Sequence, residues 1–177
     1  MKLLMPFAEG FEEIEAMSAI SILRSAGISI DMVGVVGSMI PGAHGINTAM
    51  DKRIGDIRVD DYDGIVIPGG SRGCANLERS KIVMDAIKKL NEQGKLVAAI
   101  CAAPLLLSKA GVLHNKKATI YPGMEKELPY PRDSKVVVDG NIITSQGPGT
   151  ALDFALEIVK QLVGREKADK VRANLLA

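Results

Sequence analysis

The stretch Leu96-Val97-Ala98-Ala99-Ile100-Cys101-Ala102-Ala103-Pro104-Leu105-Leu106-Leu107 constrains the fold more than any other part of the chain. It reads as a buried strand that stops at a cysteine and turns at once into a helix. A nucleophile at such a turn occupies strained backbone, and the residues two before and two after it must be small for strand and helix to pass. Ala99 and Ala103 meet that demand. A helix N-terminus lowers a thiol pKa, and the backbone N–H of Ala102 can face a developing oxyanion. The same residues also fit a buried, inert cysteine, as most free cysteines in apolar strands are. The stretch alone leaves both readings open.

Around this turn, short apolar runs alternate with segments of helical period. Lys2–Phe7 reads as a first strand, followed by a helix from about Glu12 to Ala26 with Ala16, Ile20 and Leu23 on one face and Gly27 as its stop. Ile28–Val36 reads as a second strand, and Ser38–Asp61 as a small hairpin excursion with a loop back to the sheet. A third strand runs into Pro68-Gly69-Gly70, where paired glycines allow either a plain tight turn or close backbone approach with an N–H free for a ligand. One helix is expected from Asn76 to Gln93, then the cysteine strand and its helix, then a short strand at Lys117–Ile120. Val136–Ser145 is a hairpin turning at Asp139-Gly140-Asn141. Thr150 with Asp153 resembles a capping box opening the next helix, and Glu166–Leu175 forms the last one.

Strands alternating with helices imply crossover connections and a mainly parallel sheet covered on both faces. Ligands in such folds bind beyond the carboxyl ends of the strands. Glu15, Gly69-Gly70 and Cys101 all follow strand ends, which places them on one edge. Glu9, Glu12 and Glu13 read as a solvated acidic face favoured by the helix dipole. Glu15 lies one turn further in, between Ile14 and Ala16, where an inward carboxylate needs a partner. His44 and His114 read as surface residues, and Cys74 as a partly buried bystander with a resolving-cysteine role as the alternative.

The length of 177 residues fits one domain spanning 1–177. With 22 basic and 21 acidic residues, no electrostatic footprint for nucleic acid or anionic membrane stands out, so small molecules or proteins are the expected partners. No apolar run approaches the roughly twenty residues of a membrane span, and no signal-peptide core precedes Pro6 and Glu9, so a cytoplasmic protein is expected. Two cysteines without metal-ligand spacing agree with a reducing compartment and give no metal site. No Gly-x-Gly-x-x-Gly or Walker pattern follows the first strand.

Four motifs taken together carry a resemblance: Glu9-Gly10-Phe11-Glu12-Glu13-Ile14-Glu15, Ile67-Pro68-Gly69-Gly70, Ala98 to Pro104, and Thr144-Ser145-Gln146-Gly147-Pro148-Gly149-Thr150. In this order they resemble the ThiJ/PfpI superfamily over nearly the whole chain, most closely its branch of the human parkinsonism-associated protein and bacterial ThiJ-like proteins. The resemblance implies a flavodoxin-like three-layer α/β/α sandwich, similar to class I glutamine amidotransferases, in a homodimer without cofactor. It implies Cys101 as the reactive cysteine, Glu15 as its carboxylic acid, the amides of Gly70 and Ala102 as an oxyanion pocket, and a substrate pocket near Gly69, Tyr121 and Pro148. A protonated Glu15 would donate to Cys101, favour the thiolate and depress the thiol pKa, and would later stabilise a sulfinate.

Two departures from the superfamily matter. Protease-like members carry a histidine directly after the cysteine, where this chain has Ala102. Several glyoxalase-active members place a histidine before a proline, where this chain has Tyr121 before Pro122. The expected activity is therefore a cofactor-independent glyoxalase or deglycase acting on α-oxoaldehydes or glycated proteins. A redox-responsive chaperone or sensor is the alternative, and a peptidase the weakest reading.

Overall fold

A computed structural model covering residues 1–177 shows a seven-stranded sheet with helices packed on both faces. The strands are β1 (Lys2–Phe7), β2 (Ser29–Gly34), β5 (Lys52–Arg53), β6 (Gly64–Ile67), β7 (Leu96–Ile100), β8 (Val136–Asp139) and β9 (Ile142–Ser145). Their order is β5-β2-β1-β6-β7-β9-β8, with every neighbouring pair parallel except β8 and β9. The Ser38–Asp61 excursion contains a separate antiparallel pair, β3 (Met39–Pro41) and β4 (Asn47–Ala49), before β5 rejoins the sheet edge. This is the flavodoxin-like α/β sandwich.

Side-chain alternation along the strands builds two apolar layers. Leu3, Met5, Phe7, Val66, Ala98 and Ile100 face α1 (Glu13–Ser25), α5 (Ala151–Val163) and α6 (Arg165–Asn174). Leu4, Ile65, Ile67, Val97 and Ala99 face α2 (Ser71–Glu78), α3 (Lys81–Glu92) and α4 (Pro104–Lys109). Fully burying each of the larger side chains contributes about 1.5–3 kcal/mol. Cys101 packs against both layers, so it stands at the end of the sheet where they meet.

Local signals explain most element ends. Gly27, at φ +83°, closes α1 with the Ile28 N–H on the Leu23 carbonyl at 3.0 Å and the Gly27 N–H on Arg24 at 3.0 Å, the paired bonds of a Schellman stop. In the β8–β9 hairpin, Asp139 pairs with Ile142, leaving Gly140 at φ +67° as the first of two turn residues.

Three sequence expectations are corrected. The single helix at Asn76–Gln93 is two helices, because Ser80 leaves helical geometry and accepts the Val83 N–H at 3.4 Å as the cap of α3. The first of them, α2, begins earlier, at Ser71, entered through Gly70. Lys117–Ile120 forms no strand; it contributes only a bridge between Ala118 and Pro131, while the Thr119 N–H bonds the Thr144 hydroxyl at 2.9 Å. The Thr150–Asp153 capping box is absent. The Thr150 hydroxyl instead accepts the Gly147 N–H at 3.1 Å and meets the Ser145 hydroxyl at 2.7 Å, and Asp153 pairs with Arg172.

The chain moves from β1 outward to β2, then crosses back to β6 on the other side of β1. The strand order reverses there, which opens a crevice at the carboxyl ends of β1 and β6. No helix is long and apolar enough to cross a membrane.

Candidate active site

Three strand ends deliver the groups at this crevice. After β1, the chain enters α1 with Glu12 as its cap, one carboxylate oxygen accepting the Glu15 N–H at 2.7 Å. This fixes the first turn and aims Glu15 inward, where it is fully buried. Glu15 Oε2 accepts the Gly69 N–H from the loop after β6 at 2.8 Å. Its Oε1 is buried with no hydrogen-bond partner, and Cys101 lies next to the carboxyl on the other side of Gly69. A buried carboxylate oxygen without a donor is costly, and a proton on it relieves the cost.

Cys101 follows β7 in the left-handed region at φ +63°, the strained elbow its sequence context predicts. The elbow is held from both sides: its N–H donates to the Ser145 carbonyl at 3.0 Å, and its carbonyl accepts the Tyr121 N–H at 2.9 Å. Ala99 and Ala103 are fully buried, as close passage of strand and helix demands. The backbone N–H groups of Gly70 and Ala102 pull the thiol toward its charged form. The helix that follows, α4, starts three residues later at Pro104 and is six residues long.

Burial raises the Glu15 carboxyl to about 7 against the opposing pull of the Gly69 N–H and the nearby Cys101 thiol, and the nearby Glu12 charge adds to the rise. Burial, and then the Glu15 charge, push the Cys101 thiol up to about 12, against the pull of the Gly70 and Ala102 N–H groups. The expected depression of the thiol therefore does not hold while Glu15 is ionised. The two groups titrate as one unit that gives up a first proton near pH 7 and keeps the second far into the alkaline range.

Residues 1–161 match the model of the DJ-1/PfpI family. The chain belongs to the DJ-1/PfpI family. It is 40% identical to protein dj-1beta of Drosophila melanogaster over 174 residues, covering 96% of this chain and 93% of that protein. It is 34% identical to the Parkinson disease protein 7 homolog of Danio rerio, again covering 96% and 93%. The solved structure of oxidized Toxoplasma gondii DJ-1 superposes with a TM-score of 0.96 at 37% identity, covering 99% of this chain and 97% of that one. The DJ-1/PfpI family includes enzymes with a cysteine nucleophile.

Within this DJ-1/PfpI chain, Gly69 is buried between Glu15 and Cys101, and a Cβ there would lie 2.5 Å from Glu15 Oε2 and 2.5 Å from Cys101 Cβ. Tyr121 is half exposed, with its ring against Gly147, and Pro148 opens a short turn beside it. Cys74 is buried, with its thiol directed at the Pro68 carbonyl at 3.8 Å and pushed up by burial. A cavity of about 580 Å³ lies along Val35, Val36, Met39, Ile40 and Arg79 and does not include Cys101.

The sequence reading of Glu12 and Glu13 as a solvated face is overturned. Both are buried, and only Glu9 keeps an exposed carboxylate, paired with Arg72. Glu13 turns to the loop between β3 and β4, where it accepts the His44 backbone N–H at 2.7 Å and contacts the His44 ring Nδ1 at 2.8 Å. Burial raises the Glu13 carboxyl, but its bonds to the His44 ring and to backbone N–H groups together hold it below its ordinary value. The contact spans 31 residues of sequence. The one local sign of it is Gly42, where a side chain would collide with the Glu13 carboxyl.

Proposed function

We propose that this protein is a cofactor-independent enzyme acting on α-oxoaldehydes such as methylglyoxal, or on their early adducts with proteins, with Cys101 as nucleophile and Glu15 as proton carrier. The observation that carries the reading is a buried Glu15 oxygen without a donor, set across Gly69 from a sulfur that the Gly70 and Ala102 N–H groups pull toward its charged form. When one proton remains on the pair, two donors favour negative charge on sulfur, and the donor-poor carboxyl oxygen takes the proton. The reactive state is then a Cys101 thiolate beside a neutral Glu15.

In this state the thiolate adds to the aldehyde carbon, and Glu15 gives its proton to the new alkoxide, forming a hemithioacetal. The Glu15 carboxylate next removes the hydrogen from that carbon, leaving an enediolate. It returns the proton to the neighbouring carbon, while the first carbon's hydroxyl proton passes to the second oxygen. The product is a thioester of lactate. Water, losing a proton to Glu15, then attacks the thioester and expels the Cys101 thiolate. The pair is restored and lactic acid leaves. The N–H groups of Gly70 and Ala102 are suited to hold oxyanions in these steps. Tyr121 and Pro148 border the entrance; on a protein hemithioacetal or aminocarbinol the thiolate displaces the protein's thiol or amine, which leaves with the Glu15 proton, and the same later steps complete deglycation.

The test is lactate formation from methylglyoxal by wild type and Cys101→Ser, each purified free of contaminating glyoxalases. Production by wild type and none by the variant is expected, and equal rates would end the reading. Oxidation sensing has separate support, since the Toxoplasma DJ-1 structure similar to this chain is of an oxidized form. Mild peroxide should then add two oxygens at Cys101 alone, seen by intact mass, and an unchanged mass would exclude that role.

A further inference from the structure

Next to Glu15, whose N–H bonds Glu12, a second cluster gathers metal-ligating side chains. We propose that Glu12, Glu13 and His44 form a binding site for one divalent transition-metal ion of zinc-like chemistry. One donor atom from each lies within 4.8 Å of the others. The two glutamate side chains are only 8% and 7% exposed, whereas the His44 ring is 70% exposed.

Glu12 supplies the observation that points to a ligand. Its Oε2 is used by the Glu15 N–H, but its Oε1 is buried with no hydrogen-bond partner and faces His44 Nδ1 at 3.9 Å. That gap is too long for a direct bond and leaves a desolvated anionic oxygen uncompensated. A cation between Glu12 Oε1, Glu13 Oε2 and His44 Nδ1 satisfies all three. The exposed side of the imidazole leaves room for water to complete the coordination and gives the ion a path of entry.

The backbone presents the histidine in place. The Ala43 N–H donates to the Phe11 carbonyl at 2.8 Å, and the His44 N–H is fixed on Glu13 Oε1. The loop therefore approaches the start of α1 whether or not an ion is bound. One nitrogen and two carboxylate oxygens suit zinc-like ions, whereas magnesium and calcium prefer oxygen alone. The ion replaces the hydrogen shared by Nδ1 and Glu13 Oε2: Nδ1 releases its proton to solvent and coordinates through the freed lone pair, with Nε2–H facing water.

Tag-free Cys101→Ser protein, which lacks the competing thiol, should be titrated with Zn²⁺ by calorimetry and with Co²⁺ by visible absorbance. One saturable site per chain is expected, with Co²⁺ bands that lack sulfur charge transfer. Adding His44→Gln, an exposed change whose fold is checked by circular dichroism, should weaken Zn²⁺ at least about tenfold, and Glu12→Gln should do the same. Equimolar Mg²⁺ or Ca²⁺ should not displace the ion. Absence of saturable Zn²⁺ binding, binding unaffected by His44→Gln, or displacement by Mg²⁺ or Ca²⁺ overturns the proposal, and none of these outcomes bears on methylglyoxal turnover.

Discussion

Glu15 and Cys101 flank a single glycine, Gly69, whose N–H is spent on the Glu15 carboxylate at 2.8 Å. A carboxyl and a thiol brought together in a dry crevice cannot both be anions. Their shared proton is therefore the quantity on which both reactivity and pH dependence turn.

The first prediction concerns stability. The Glu15 carboxyl loses its proton at its ordinary 4.5 in the unfolded chain, whereas the folded pair of Glu15 and Cys101 gives up its first proton only near 7. Between these values the folded state binds more protons, so its stability falls as pH rises through the window. A shift of this size costs up to about 3 kcal/mol above the window and nothing below it. Glu15→Gln keeps an acceptor for Gly69 and cannot ionise. Chemical denaturation should show the variant gaining stability relative to wild type from pH 4.5 to pH 8; a constant difference across that range would contradict the assignment.

Gly69→Ala should damage the site while leaving both reactive residues in place. The added methyl would sit 2.5 Å from both partners, in a core with no slack. A destabilisation of about 1–3 kcal/mol is expected, together with loss of lactate production. Full activity in this variant would show that the pair tolerates separation.

Ser80→Ala tests the break between α2 and α3. Removing the hydroxyl that accepts the Val83 N–H should lower stability by about 1 kcal/mol in urea unfolding, with activity unchanged. An unchanged midpoint would mean that the cap contributes nothing.

The order of strands and helices was legible because each element carries its own period and stop, as at Leu23 and Gly27. The candidate pair was legible for a related reason: Glu15, Gly70 and Cys101 each follow a strand, and parallel strands bring their carboxyl ends to one edge. The break at Ser80 was hidden because the apolar residues on either side keep a helical spacing across it. The burial of Glu12 and Glu13 was hidden because helix-dipole reasoning is local, while the group that covers Glu13 arrives on a loop 31 residues away. Likewise, the rise of the Cys101 thiol depends on depth of burial and on charge at Glu15, neither of which a motif encodes.

Thiolate ultraviolet absorbance followed against pH in wild type, with Cys101→Ser as the blank, tests the shared proton most directly. A thiolate signal from Cys101 that rises with a midpoint at or below about 7 and then stays level is expected, since the pair's first proton leaves sulfur while the second stays on Glu15. A sulfur that remains protonated until about pH 12 would place the charge on Glu15 instead, and would contradict the proposed reactive state.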